Sequence, residues 1–342
     1  MKVLVGRLGR PQVGVLRTVG AVLTVVLVCV VQGPDAGAQE ASLERFVYRQ
    51  GHMGMEVRLV LYASERARSE RAARAAFERV ARLDSLLSSY RSDSELMRVN
   101  RRAANGPVPV GDHLFTIVDR AQDVARQSEG ALDVTSGPFI QLWREAHRTG
   151  QLPDTAALRD ARQRVGWQHL ALDAEAQTLA FRREGMELNL GGLAKGYILD
   201  RTLDVLRDHG ISRALVEAGG DLVAGGAPPG RNGWRVDIPH RVAGDTSAVV
   251  TVAHSAVATS GDEVQYVQIG DDRYSHVIDP RTGLGLTDQP TTTVVARRGI
   301  VADALATTVG ILGREEGRSF VHAHYPQTTV YVTQGDASPI LQ

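Results

Sequence analysis

Apolar positions recur along the chain in two rhythms. Residues 55–62 (MEVRLVLY) alternate and are rich in valine and leucine, which predicts a β-strand. Over residues 64–87 the spacing changes to three and four, so Phe77, Val80, Leu83 and Leu87 share one face of a predicted helix. The serines that follow, with Asp93, predict a turn before a short helix. Another amphipathic helix is predicted over 113–127, with Leu114, Ile117, Val118, Ala121 and Val124 inward and Gly130 at its C-cap.

Further on, residues 170–182 read as a hairpin around DAEAQ and residues 186–190 as a strand. A glycine-opened helix follows in which Leu199, Leu203 and Leu206 share a face, ended by Gly210. Short strands are predicted at 214–216, 222–224, 234–238, 248–252, 264–269, 291–296 and 328–333. Residues 302–313 (ADALATTVGILG) read as a helix. Helices and strands mix without a regular βαβ rhythm. That favours an α+β fold, a layered α/β sandwich, over a doubly wound sheet. With no repeat and no long linker, the pattern predicts a single compact domain.

The first residues differ in kind. Lys2, Arg7, Arg10 and Arg17 precede the apolar run AVLTVVLVCVVQG, and Ala36-Gly37-Ala38 follows it. This order predicts a secretory signal peptide over 1–38, leaving a domain over 39–342. The run is short for a membrane span, so an uncleaved anchor is the lesser alternative. Cys29 is the only cysteine and has Val28 before it, a poor match to a lipidation site. Cleavage after Ala38 would leave no cysteine, excluding disulfides and thiolate chemistry. The 39 basic residues balance 39 acidic ones, which gives no support for a nucleic-acid partner.

Four constellations could carry chemistry. LNLGGLAKG (residues 188–196) runs a strand into paired glycines and a helix with Lys195 in its first turn. Backbone N–H groups and a lysine there suit a phosphate, although the segment is neither a Walker loop nor a Rossmann fingerprint. GGDLVAGG (residues 219–226) allows close approach of a backbone or flat ligand, or forms two ordinary turns. His276 lies between apolar neighbours before the Asp279–Gly283 turn, and could be a general base or a buried core histidine. Asp303 and Thr307 stand one helical turn apart, suiting either a helix N-cap or a hard cation.

Taken in order, these segments resemble the ApbE family of flavin transferases, a T-fold-like group. The matching residues are HMGMEV from His52, SYRSDSEL from Ser89, ALDVT from Ala131 with Gly137-Pro138 and Trp143, and residues 190–200. They continue with EAGGD from Glu217, TSGD from Thr259, residues 275–283, and Ala302-Asp303-Ala304 with Thr307. The resemblance implies an Mg²⁺-dependent FAD:protein FMN transferase that moves FMN onto a threonine of an acceptor flavoprotein and releases AMP. It implies FAD contacts from Met53, Tyr90, Ala131, Leu132, Asp133, Asn189, Lys195 and Ile278. Magnesium would be held by Asp303, Thr307 and the carbonyls of Gly192 and Ala306, and His276 would assist the acceptor hydroxyl.

The chain departs from the family pattern at Asn189 and in some members at Ala306, where aspartates are frequent, and at Gly285, where proline is. Asp303 is then the one carboxylate assigned to the metal. An Mg²⁺-dependent FAD diphosphatase and a non-catalytic periplasmic flavin binder are the alternatives. The acceptor motif [ST]-G-[AS]-T is absent from the chain, which implies a separate acceptor, such as a respiratory redox subunit. The signal pattern adds the expectation of an exported, periplasmic protein, free or anchored on the outer face of the cytoplasmic membrane.

Overall fold

The computed structural model describes residues 43–239, 248–261, 266–270, 272–287 and 290–333. The expected signal peptide, Cys29 and Asp262 lie outside the described residues. Seven strands form the central sheet: β1 (Glu44–His52), β2 (Met55–Ala63), β3 (Ala214–Ala218), β4 (Asp221–Ala224), β5 (Ser255–Ser260), β6 (Thr291–Ala296) and β7 (Thr329–Thr333). Their order in space is their order in the chain, and every neighbouring pair is antiparallel. The helices are α1 (Arg66–Leu87), α2 (Glu95–Arg102), α3 (Asp112–Gln127), α4 (Gly137–Thr149), α5 (Thr155–Gln163), α6 (Ala194–Asp208), α7 (Gly299–Leu312) and α8 (Arg314–His324).

Strand periodicity divides the sheet between two cores. Val57, Leu59 and Leu61 of β2 pack with α1, α6 and α7 on one face, while Val60 joins the other. There the hairpin Trp234–Ile238/Ala248–Val252 lays Trp234, Ile238 and Val252 over Leu215, Leu222 and Val257. The layers are therefore helix, sheet and hairpin, as the α+β reading expects. Among the described residues no helix is long and apolar enough to cross a membrane.

Three local expectations change. Residues 186–190 do alternate, with Met186, Leu188 and Leu190 buried, but they make only an isolated parallel bridge, Glu187 with Ser136. In it the Gly137 N–H donates to the Glu187 carbonyl at 3.1 Å and the Asn189 N–H to the Val134 carbonyl at 2.7 Å. The Asn100 side chain takes both backbone groups of Leu188, donating to its carbonyl at 3.0 Å and accepting its N–H at 2.8 Å. The carboxamide satisfies the Leu188 groups that the bridge leaves over. Helix α3 has its C-cap at Ser128, and Gly130 (φ +86°) returns its N–H to the Ala125 carbonyl at 2.8 Å. Asp303 is not the cap of its own helix, because α7 starts at Gly299 with Arg298 as N-cap.

Candidate active site

At one end of the sheet, the turn before α6 is set by Asn189, whose Oδ1 accepts the Gly191 N–H at 2.9 Å. The N–H groups of Leu193 and Ala194 then return to the Leu190 carbonyl at 3.1 and 2.9 Å, and the helix begins. Lys195, in its first turn, places Nζ 3.0 Å from Oδ2 of Asp221, the first residue of β4. Asp221 is 2% exposed, and its Oδ1 accepts the Thr259 N–H at 3.0 Å. From α7, Asp303 Oδ2 accepts the Gly196 N–H at 2.9 Å.

Two buried carboxylates thus meet one ammonium. Burial pushes the Asp303 carboxyl up to about 7, the Asp221 charge adds to the shift, and Lys195 and the Gly196 N–H offset part of it. Burial also pushes Asp221 up, against the pull of Lys195. For Lys195 burial works downward, but Asp221 and Asp303 outweigh it and hold the ammonium above its ordinary range.

Around this cluster the other predicted residues take different places. Met53 sits in the β1–β2 turn at φ +54°, its N–H donated to Asp84 Oδ2 at 3.1 Å. A cleft of about 840 Å³ opens there, lined by residues 49–56 and Asp84, within the size range of small-molecule sites. The two-residue turn from β3 to β4 uses Gly219 and Gly220 at φ +55° and +87°, the hairpin geometry that favours glycine. A β-carbon on Gly219 would fall 2.7 Å from Met55 Sδ and 3.9 Å from Lys195 Nζ, so the two turns and the lysine adjoin.

Gly192 touches two further predicted residues. A β-carbon there would lie 3.2 Å from Leu132 Cδ1 and 3.4 Å from Thr307 Oγ1. The Asp133 carboxylate is spent inside the protein. It accepts the Thr135 N–H at 2.8 Å, the Thr135 hydroxyl at 2.7 Å and the Trp167 N–H at 2.8 Å, while the Ala131 and Leu132 N–H groups go to Ser128 and the Asp133 carbonyl accepts the Ser136 N–H. Tyr90 is 84% exposed with the Arg144 guanidinium 4.3 Å above its ring. Ser89 Oγ accepts from Arg144 Nη2 at 3.0 Å and from Asn189 Nδ2 at 3.4 Å, which ties Tyr90's neighbourhood to the α6 turn.

His276 is exposed in a bend, so the core-histidine reading gives way. Its neighbour Val277 packs with Ala131 and with Ile311 of α7, which joins this loop to the 131–133 turn. Ile278 is buried against Phe139 and Trp143, so its side chain serves packing. Ala306 lies mid-helix with its methyl in the core, and its carbonyl belongs to the helical ladder with one lone pair to spare.

The donors suit a hard cation. Asp303 Oδ1 has no hydrogen-bond partner among the described residues, although the side chain is buried. Thr308 turns its hydroxyl back to the Ala304 carbonyl at 2.7 Å, whereas Thr307 makes no such bond and lies against Gly192. A carboxylate, a hydroxyl and carbonyls are the ligands magnesium takes. Among the described residues no group of three or more His, Cys, Asp or Glu could hold a metal ion.

Sequence reasoning left Asp221, Asp200, Ser89 and Arg144 without roles. One signal was available for Asp221: a buried carboxylate needs a cation, and Lys195 is the chain's only lysine besides Lys2.

A lysine and paired glycines at a helix start, beside oxygen donors, are groups whose chemistry suits a phosphate, here on an antiparallel α+β scaffold. The ApbE family model matches residues 53–332. The FAD:protein FMN transferase of Treponema pallidum is 31% identical over 308 residues, covering 85% of each chain. That of Vibrio cholerae is 33% identical over 73% of this chain and 76% of its own. The solved flavin transferase ApbE from Vibrio cholerae superposes with a TM-score of 0.78 at 28% identity, covering 87% of this chain and 96% of that one. The flavinyl transferase ApbE of Pseudomonas stutzeri gives 0.77 at 27% identity, covering 87% and 94%. The chain belongs to the ApbE family.

Proposed function

We infer that the chain is an FAD:protein FMN transferase, as its family membership and its relatives' names support. The observation that carries this reading to the residues is the buried Lys195–Asp221–Asp303 cluster at the start of α6. FAD is the substrate. Its pyrophosphate lies against the Gly191–Gly192 turn and Lys195, and its ring systems reach the Met53 cleft and the exposed face of Tyr90.

The acceptor's threonine hydroxyl attacks the phosphorus on the riboflavin side. A P–O bond forms to the threonine, and the bond to the AMP oxygen breaks. His276 accepts the hydroxyl proton, and its exposed position lets an acceptor protein bring the threonine to it. Lys195, kept charged by two acids, stabilises negative charge on the phosphoryl oxygens. Asp303 Oδ1, the Thr307 hydroxyl and the Gly192 and Ala306 carbonyls would hold Mg²⁺, which when bound neutralises phosphoryl charge and the leaving AMP.

The acceptor is a separate flavoprotein carrying an [ST]-G-[AS]-T threonine. The export pattern of residues 1–38 supports transfer in the periplasm. His276→Ala tests the reading: FMN transfer is expected to vanish while FAD still binds, as equilibrium dialysis would measure. Undiminished transfer by this variant would remove His276 from the mechanism.

A further inference from the structure

Helices α6 and α7 begin without caps of their own: Leu193 and Arg298, at the N-cap positions, contribute no side-chain hydrogen bond. The first N–H groups of a helix need partners from elsewhere. Each helix obtains some of them from the other. Asp303 of α7 accepts the Gly196 N–H of α6 at 2.9 Å. In return Asp200 of α6 accepts the Gly299 N–H at 2.8 Å and the Ile300 N–H at 3.2 Å, the first amides of α7.

The two halves match in sequence. Gly196-Tyr-Ile-Leu-Asp200 and Gly299-Ile-Val-Ala-Asp303 both place an aspartate four residues after a glycine, hence on one helix face. The glycines meet where the helices cross. A β-carbon on either would overlap the other's carbonyl oxygen, and on Gly196 it would also lie 2.8 Å from Asp303 Cβ. No side chain fits at that crossing.

The halves differ in what they leave over. Both Asp200 oxygens are engaged, Oδ2 also accepting from Arg298 Nε at 3.4 Å. Asp303 caps with Oδ2 alone, and its Oδ1 has no hydrogen-bond partner among the described residues. One half is closed, and the other keeps an oxygen on a side chain one helical turn from Thr307.

We propose that Asp200 is a positioning residue for the active site: its grip on the first amides of α7 sets that helix against α6, so that Asp303 caps Gly196 with one oxygen and presents the other to the ligand. The proposal rests on the metal and FAD reading given above. It assigns Asp200 a role at a distance, through α7, with no contact to substrate.

The test uses the full chain and Asp200→Asn, whose single carbonyl oxygen cannot hold both amides as a carboxylate does. Mg²⁺ alone is titrated into metal-free protein by calorimetry, and amide hydrogen exchange is read at the starts of both helices. A support shell that orients a metal ligand is worth about 10- to 100-fold in metal affinity. The expected result is a loss of that size in Asp200→Asn with a cooperative thermal transition retained. Faster exchange is expected at Gly196 as well as at Gly299 and Ile300, although Asp200 makes no bond to Gly196. Arg298→Ala, which removes only the exposed partner of Asp200, should leave Mg²⁺ affinity within twofold of wild type.

Unchanged Mg²⁺ affinity in Asp200→Asn, with faster exchange confined to α7, would overturn the proposal. So would loss of cooperative melting in that variant, which would make Asp200 a residue of the fold as such. A wild-type chain that binds no Mg²⁺ would instead defeat the metal reading, and the exchange at Gly196 would still decide for or against the clasp.

Discussion

Lys195 carries more of the site than any other single residue. The chain uses arginine almost everywhere else it needs a cation, and keeps lysine here and at Lys2. An ammonium is a compact point charge, unlike a planar guanidinium, and here it sits against the buried Asp221 carboxylate. Lys195→Arg is therefore predicted to lower kcat for transfer by roughly 10²- to 10³-fold despite the retained charge. Steady-state transfer kinetics would check this, and near-wild-type kcat would contradict it.

Asp303 yields a pH prediction. Its carboxyl is held at about 7 in the folded protein against an ordinary value of 3.8, so the fold favours the protonated form. Its contribution to stability is fully present below about 3.8 and is lost as pH rises through 7. In the metal-free protein, Asp303→Asn should remove that loss and gain stability relative to wild type between pH 4 and 8. Denaturant midpoints across that range measure it, and parallel curves for the two proteins would refute the assignment.

Among the elements, the crossing of α6 and α7 decides the geometry. Gly196→Ala would drive a methyl group into the Gly299 carbonyl. Overpacking of this kind costs about 1–3 kcal/mol, to be seen as a lower thermal midpoint together with weakened transfer. A stability equal to wild type would show that the helices have room to part.

The helices themselves were legible from spacing, since Phe77, Val80, Leu83 and Leu199, Leu203, Leu206 lie inward as their periods require. What spacing could not convey was partnership. Asp303 looked like either a cap or a ligand, and it caps a helix about a hundred residues earlier in the chain with one oxygen, the other having no hydrogen-bond partner among the described residues. Residues 186–190 alternate like a strand, but Asn100 and residues 134–137, far off in sequence, determine that a side chain and a single bridge take the place of a full ladder. Strand β1 escaped because its edge position leaves Phe46 as its one fully buried side chain, which erases the alternation.

At the scale of the whole molecule, a sheet whose strands follow chain order brings distant segments to one end. The β1–β2 turn with Met53, the β3–β4 turn with Gly219 and the end of β5 with Thr259 all lie there, and α6 and α7 start against them. This arrangement explains why no single motif in the chain was decisive, and why the ordered set of them was. Each contributes one wall, and the antiparallel order of the sheet assembles the walls.

A transferase of this kind must move FMN to a threonine. The chain from residue 39 onward would be incubated with FAD, Mg²⁺ and an acceptor domain bearing the [ST]-G-[AS]-T motif, and the intact acceptor weighed by mass spectrometry. The predicted result is one FMN phosphoester per acceptor, lost when the motif threonine is replaced by alanine, with an equal amount of AMP released. An acceptor of unchanged mass, accompanied by free FMN and AMP or by intact FAD, would contradict it.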